Sequence, residues 1–172
     1  GDFAHNPEPL PQHLVALSET VREKHATVGF SVDPDVDRLA IIDENGLPFG
    51  EEYTLVAVAD YLLDYHGGGN TVSNLSSTRA LRDVTERGNR GSYAAAAVGE
   101  VNVVAKMAAT NALIGGEGNG GVIFPKLHAG RDALVGIALF LTLLAKKKKS
   151  VSELRREYPV YYMSKQRADL PE

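Results

Sequence analysis

The sequence predicts an α/β fold, a three-layer α/β/α sandwich built on a mixed, mostly parallel sheet. Two features carry that expectation. Short apolar runs such as Val28-Gly29-Phe30-Ser31-Val32, Leu39-Ala40-Ile41-Ile42 and Ala112-Leu113-Ile114 alternate with longer segments whose apolar residues recur at helical spacing. Turn residues, glycine above all, punctuate most of the junctions between them.

Composition bounds the reading further. The 172 residues are 44% hydrophobic and 23% charged, enough for one sizeable core. A net charge of −4 gives no nucleic-acid surface, so no nucleic-acid partner is expected. The absence of cysteine excludes a disulfide scaffold and thiolate metal sites. It fits a reducing compartment, and a cytoplasmic location is expected. The longest apolar run, 133–145, is too short to span a bilayer, so no membrane is expected either. With Gly1-Asp2-Phe3 at its start and no initiating Met, the sequence reads as a piece of a longer chain.

Residues 1–11 are rich in proline and turn formers, which predicts an irregular opening segment. Leu14, Leu17 and Val21 then recur at helical spacing and predict an amphipathic helix to about Lys24, with Pro11 in its first turn. Val28–Val32 reads as a buried strand and Leu39–Asp43 as a second, closed by the turn Glu44-Asn45-Gly46. Residues 51–65 carry Leu55, Val56, Ala59, Leu62 and Leu63 and predict a helix ended by Gly67-Gly68-Gly69. A short strand at 71–75 follows, and Ser76-Ser77-Thr78 can cap a helix running to about Glu86 with Leu81 and Val84 inward.

Residues 92–98 fit either a strand or a loop. Val101, Val104 and Met107 at three-residue spacing predict a helix through Thr110. Five of the seven residues in 115–121 are glycine, which predicts a hairpin or a wide loop with Val122-Ile123-Phe124 as the returning strand. Residues 132–149 predict a helix, and its front half is apolar almost all round, as in a deeply buried helix. Its lysine-rich end suits the negative pole of the helix. Ser150-Val151-Ser152-Glu153 matches a capping box for a short helix to about Glu157. Val160-Tyr161-Tyr162-Met163 is strand-like and precedes a polar tail.

The chemistry concentrates in two loops. In Asp33-Pro34-Asp35-Val36-Asp37-Arg38, extended backbone can point all three carboxylates at one spot. Such a group is either a solvated acidic turn or a cation site, and the strand before it with the Arg after it favours a site. Every donor is oxygen, so Mg²⁺ fits better than Zn²⁺. An EF-hand is disfavoured because its glycine position holds Arg38 and the flanks read as strands. No serine lies in a G-x-S-x-G context, and the five histidines show no metal-ligand spacing. The second loop, Gly115-Gly116-Glu117-Gly118-Asn119-Gly120-Gly121, lacks a P-loop ending. A carboxylate and an amide on a glycine loop suit sugar hydroxyls, and the plainer reading is a tight hairpin.

These two loops resemble those of the α-D-phosphohexomutases. Asp33 to Arg38 is similar to the family's D-G-D-G-D-R metal loop, and Gly116-Glu117-Gly118-Asn119-Gly120 to its G-E-x-S-G sugar loop, in the same order and at a matching separation. The proline-rich opening, the Val98-Gly99 step and Gly130-Arg131-Asp132 before the long helix also match. The resemblance implies a middle-domain phosphohexomutase fold. It assigns 1–38 to the end of the second domain, 39–150 to the third, and 151–172 to a linker towards a fourth.

It also implies roles. Asp33, Asp35 and Asp37 would hold Mg²⁺, Arg38 would steady the transferring phosphoryl group, and Gly116, Glu117 and Asn119 would bind the sugar of a sugar-phosphate substrate. The reaction would interconvert hexose or hexosamine 1- and 6-phosphates through a phosphoserine and a bisphosphate intermediate, in an enzyme of the phosphoglucosamine or phosphomannose/phosphoglucose type. Gly121 stands where many members have histidine, so that contact is lost or supplied elsewhere, with His128 the candidate. Pro34 and Val36 replace loop glycines but keep the ligand spacing. Ala4-His5-Asn6-Pro7 lacks the serine of the family's T-A-S-H-N-P loop, so the nucleophile and the phosphate clamp are expected in domains 1 and 4, and these residues alone are expected to be inactive. The alternative is a non-catalytic metal or sugar-phosphate binding module.

Overall fold

The computed structural model describes residues 2–3 and 6–163. A short 3-10 turn, Pro11–His13, leads into α1 (Val15–Glu23), followed by β1 (Val28–Val32), β2 (Leu39–Asp43), α2 (Glu51–His66), β3 (Asn70–Asn74), α3 (Ala80–Glu86) and β4 (Tyr93–Ala96). The chain continues with α4 (Glu100–Thr110), β5 (Ala112–Glu117), β6 (Gly121–Ile123), α5 (Ala133–Lys147) and α6 (Val151–Arg155). The expectations for Ala4-His5 and for 164–172 lie outside the described residues.

The main sheet runs β4-β3-β5-β6, with β3 parallel to both β4 and β5 and β6 antiparallel to β5. Helices cover both faces, as an α/β sandwich requires. Val103 and Met107 of α4 pack with Val72, Ala96 and Ile123 on one side. Residues of α2, α3 and α5 pack around Ile114 and Val122 on the other. Of residues 92–98, open in sequence, Tyr93–Ala96 form strand β4, whose backbone pairs with β3, and the rest is loop.

β1 and β2 form a separate antiparallel ribbon, with Val32 opposite Leu39, so the 33–38 loop is the turn that joins them. Alternation sends Ala40 and Ile42 against α1 and Leu39 and Ile41 into the main core. β2 is buried throughout, whereas β1 is buried at Gly29 only and half-buried elsewhere, which corrects the expectation of a buried strand.

Three other expectations need correction. Met107 of α4 is buried as expected, but Val101 is 82% exposed and Val104 only half-buried, and the second inward position is Val103, four residues before Met107 as a helix demands. Helix α5 is not covered all round: Ala133, Gly136, Phe140, Leu143 and Leu144 are buried while Leu134 and Leu141 face outwards. Residues 160–163 form no strand; Tyr53 instead holds this segment, its Oη donating to Pro159 O at 2.7 Å and accepting from Tyr161 N at 3.0 Å. The capping box on α6 is present, with Ser150 and Glu153 each accepting from the other's backbone. No helix among the described residues is long and apolar enough to cross a membrane.

Candidate functional site

The β1–β2 turn folds around its first aspartate. Asp33 is buried and its Oδ1 accepts from the backbone N–H groups of Asp37 and Arg38, both at 3.0 Å. Those two bonds close the turn and bring one carboxylate oxygen from each of Asp33, Asp35 and Asp37 within 4.8 Å of the others. Val36 meets the cost of the tight turn with φ of 59°, left-handed backbone that a β-branched side chain rarely adopts. Its carbonyl accepts from Ala133 N at 3.0 Å, so the first residue of α5 braces the loop.

The three aspartates are not equivalent. Burial acts to raise Asp33, but the backbone amides of Arg38 and Asp37 and its contact with the Asp37 carboxyl outweigh it and hold the group below the usual carboxylate range. Burial, followed by the hydrogen-bonding contact with Asp33, pushes Asp37 up to about 6. Asp37 Oδ1 is buried without a hydrogen-bond partner. Three carboxylates gathered within 4.8 Å, one of them with a buried oxygen that no hydrogen bond satisfies, form an all-oxygen donor set that suits a hard divalent cation, so these residues fit Mg²⁺.

Arg38 follows directly. Its Nη1 donates to Glu8 Oε1 at 3.0 Å, and its Nε lies 3.2 Å from Asp33 Oδ2 in an ion pair without hydrogen-bond direction. The proline-rich opening segment thus supplies a carboxylate that turns Arg38 towards the same cleft.

The glycine-rich stretch is the β5–β6 hairpin, and Glu117 ends β5. Its carboxylate is buried and held from three directions. Oε1 accepts from Asn74 Nδ2 at 2.7 Å and Gly99 N at 3.3 Å, and Oε2 accepts from Arg131 Nη1 at 2.7 Å. A carboxylate has about four acceptor positions, so one is left for a ligand. Asn119 Oδ1 accepts from Gly121 N at 3.2 Å, which leaves its amide nitrogen as the group offered to the cleft it lines. Gly120, at φ of 90°, lets its backbone approach β2: Leu39 N donates to Gly120 O at 3.1 Å, and a Cβ there would collide with Leu39 O. The two loops are therefore bonded neighbours.

Arg131 completes the arrangement. Its guanidinium pairs with Asp37 of the first loop, with Glu117 of the second, and through Nε at 3.0 Å with Glu100 at the start of α4. Burial opposes its charge, but Asp37, Glu117 and Glu100 together raise its pKa. The resulting cleft, of about 500 Å³, is lined by Arg38, Glu117, Gly118, Asn119 and Arg131 among others.

Of the residues singled out from sequence, Asp33, Asp35 and Asp37 gather at one point, and Arg38, Glu117 and Asn119 line the cleft beside them. Gly116 lies buried within β5, paired with Val122, and is not part of the cleft lining. His128 pairs with Asp132 at 3.0 Å and is not part of the cleft lining. Sequence reasoning missed Arg131, Asn74 and Glu100 as site residues. A signal for Arg131 existed: a cation two residues before an apolar helix opposes the helix dipole, which implies carboxylates nearby.

An α/β sandwich that sets an acidic, all-oxygen loop against a glycine hairpin bearing a pinned glutamate defines a protein of the phosphohexomutase class. Comparison with known proteins agrees with the geometry. Residues 50–161 match the family profile described as phosphoglucomutase/phosphomannomutase, alpha/beta/alpha domain III, and residues 1–46 match that of domain II. The chain belongs to the phosphoglucomutase/phosphomannomutase family of α-D-phosphohexomutases.

A phosphoglucomutase/phosphomannomutase of Thermococcus kodakarensis is 38% identical over 162 residues, covering 94% of this chain and 35% of that protein. A probable phosphoglucosamine mutase of Methanopyrus kandleri is 31% identical, covering 96% of this chain and 36% of its own length. The crystal structure of a putative phosphomannomutase from Thermus thermophilus superposes with a TM-score of 0.82 at 26% identity, over 89% of this chain and 35% of that one. The chain spans about a third of the length of the curated relatives it matches.

Proposed function

We propose that this chain supplies the cation loop and the sugar-recognition loop of a phosphohexomutase that interconverts hexose or hexosamine 1- and 6-phosphates. The observation that carries the reading is the cleft itself, where Arg131 bonds the Asp33–Asp35–Asp37 loop and the Glu117 loop to each other. Matching only about 35% of its relatives' length, the chain is read as the domain II to domain III portion. The phosphoserine and the phosphate clamp are then contributed by domains I and IV, and these residues alone do not turn over. The full-length pairing of β2 with β1 favours placing the junction between domains after Asp43 rather than after Arg38.

In this reading Asp33, Asp35 and Asp37 hold Mg²⁺ through oxygen. The ion supplies neutralisation of the charge on the transferring phosphoryl group, the main requirement of phosphoryl transfer. Arg38, turned towards the cleft by Glu8, aligns a phosphoryl oxygen. Glu117 accepts from one sugar hydroxyl with its remaining lone pair, and Asn119 donates to another. Because Glu117 is fixed by Asn74, Gly99 and Arg131 before any sugar arrives, little ordering remains to be done on binding.

The test is a panel assay of the complete polypeptide containing this chain, with glucosamine, mannose and glucose 6-phosphates and product detected as the 1-phosphate. The reading expects turnover of at least one sugar and loss of that turnover with Glu117→Gln. Absence of mutase activity on all three would contradict it.

A further inference from the structure

We propose that Arg131 is a positioning residue that couples the two loops, so that occupation of the cation loop by a divalent ion is transmitted to the Glu117 hairpin through one guanidinium. The inference rests on the reading of Asp33, Asp35 and Asp37 as the cation loop.

The geometry assigns each edge of the guanidinium to a different element. Nη2 pairs with Asp37 Oδ2 on the β1–β2 turn, Nη1 donates to Glu117 Oε2 at the end of β5, and Nε donates to Glu100 Oε2 on α4. The backbone N–H of Arg131 also donates to Glu100 Oε1 at 3.3 Å, which fixes the base of the side chain as well as its tip. The side chain is 16% exposed, and water contributes little to its pairings with Asp37 and Glu117, whereas Glu100 is 35% exposed. A planar fork with fixed donor directions cannot shift towards one carboxylate without lengthening its bonds to the others.

Asp37 is the point where an ion would act on this fork. Its Oδ2 belongs to Arg131, while its Oδ1 is buried, lacks a hydrogen-bond partner and lies 3.7 Å from Arg38 Nε, and the residue brings one carboxylate oxygen within 4.8 Å of one from each of Asp33 and Asp35. A cation on the Oδ1 side draws charge from the same carboxylate that Arg131 holds, so the guanidinium is left to bind Glu117 and Glu100 more tightly. The fork has room because residue 121 is glycine. A Cβ there would come within 2.5 Å of Arg131 Cδ and 3.1 Å of Cγ, so the stem of Arg131 occupies the space a side chain at 121 would need. Gly121 and Arg131 thus form one unit.

A second path between the loops exists, the bond from Leu39 N to Gly120 O, and the experiment must tell the two apart. Amide hydrogen exchange on this chain, with and without saturating magnesium chloride, reports each loop separately, while calorimetry reports ion binding. In the unsubstituted chain magnesium is expected to slow exchange both at 35–38 and at 118–121. In Arg131→Met, slowing is expected at 35–38 alone. Arg131→Lys, which keeps the charge but loses the fork, should bind magnesium within about threefold of the unsubstituted chain and still fail to protect 118–121. Gly121→Ala, which removes no charged group but pushes chiefly on the stem of Arg131 and more lightly, at 3.2 Å, on Asn119 Oδ1, guards against a misfolded Arg131→Met and should uncouple the loops in the same way. Protection at 118–121 that persists in Arg131→Met, Arg131→Lys and Gly121→Ala assigns the coupling to the backbone path and overturns the proposal. Failure of magnesium to bind the unsubstituted chain overturns the cation reading and the coupling together, and is recognised by the missing calorimetric signal.

Discussion

The side-chain amide of Asn74 donates to Glu117 Oε1 at 2.7 Å across two parallel strands of the sheet. The same Asn74 accepts from Ser76 N at 3.1 Å and Ser77 Oγ at 2.6 Å, so one buried amide orders both the β3–α3 loop and the glutamate of the sugar-type hairpin. Asn74→Ala removes all three bonds and leaves a buried carboxylate short of a donor. A loss of about 2 kcal/mol in urea unfolding is expected, together with weaker sugar-phosphate binding. A loss below about 0.5 kcal/mol would show that Gly99 and Arg131 hold Glu117 without it.

Val36 offers a test of backbone strain. Its φ of 59° is costly for a β-branched residue, yet its side chain packs against the main core. Val36→Ala loses the packing and keeps a Cβ in left-handed backbone, whereas Val36→Gly loses the packing and removes the strain. The glycine variant is therefore expected to be more stable than the alanine variant by about 1 kcal/mol, the reverse of the usual order. Equal thermal midpoints for the two would refute a strained turn.

Glu44 gives a pH dependence with a definite sign. Burial opposes its charge, but hydrogen bonds from Ser152 and Ser150 and backbone donors outweigh it, and the carboxyl falls to about 2 from an ordinary 4.5. It joins the end of β2 to α6 through Ser152 Oγ at 2.5 Å and Ser152 N at 3.2 Å. A group depressed in the folded state stabilises the fold fully above its unfolded value and loses that contribution as pH falls towards the folded value. Stability should thus decline between about pH 4.5 and pH 2, and Glu44→Gln should flatten part of that decline while costing about 2 kcal/mol at neutral pH. A Glu44→Gln acid-unfolding curve parallel to that of the unsubstituted chain would exclude this role.

Tyr53 ties the C-terminal described segment to α2, and Arg155 lies 3.4 Å over its ring. Tyr53→Phe keeps the ring and the cation contact but removes both hydrogen bonds. Cleavage by added protease at 159–163 is expected to quicken several-fold, with global stability lowered by only about 1 kcal/mol. An unchanged cleavage rate would place the restraint elsewhere, for example in Tyr161 Oη donating to Asp83 Oδ2.

Local patterns carried much of the fold and the two loops. Asp33, Asp35 and Asp37 declare themselves because their spacing is local, although a turn closed on Asp33 with Val36 in left-handed backbone gathers them, where the sequence suggested extended backbone; Ser150 with Glu153 likewise declares a capped helix. What escaped depends on contacts distant in sequence. Arg131 draws its role from carboxylates at 37, 100 and 117, on three separate elements, and nothing in its neighbours names them. Val101 and Val103 are equally apolar, so only packing against Val72 and Ala96 decides which one faces inwards. The continuous apolar surface of α5 conceals which side is covered, and the sheet covers only one. The antiparallel pairing of β1 with β2 was likewise hidden, because a run of apolar residues specifies a strand without its partner's direction.

The most direct test of the cation loop as part of a phosphoryl-transfer site is the turnover of Asp35→Asn in the complete polypeptide that contains this chain, measured against the unsubstituted enzyme under saturating magnesium. Asp35 is exposed and makes none of the hydrogen bonds that close the turn, so the substitution leaves the fold intact and alters the cation site alone. The account predicts a fall in kcat of about a thousandfold; a kcat equal to that of the unsubstituted enzyme would contradict it.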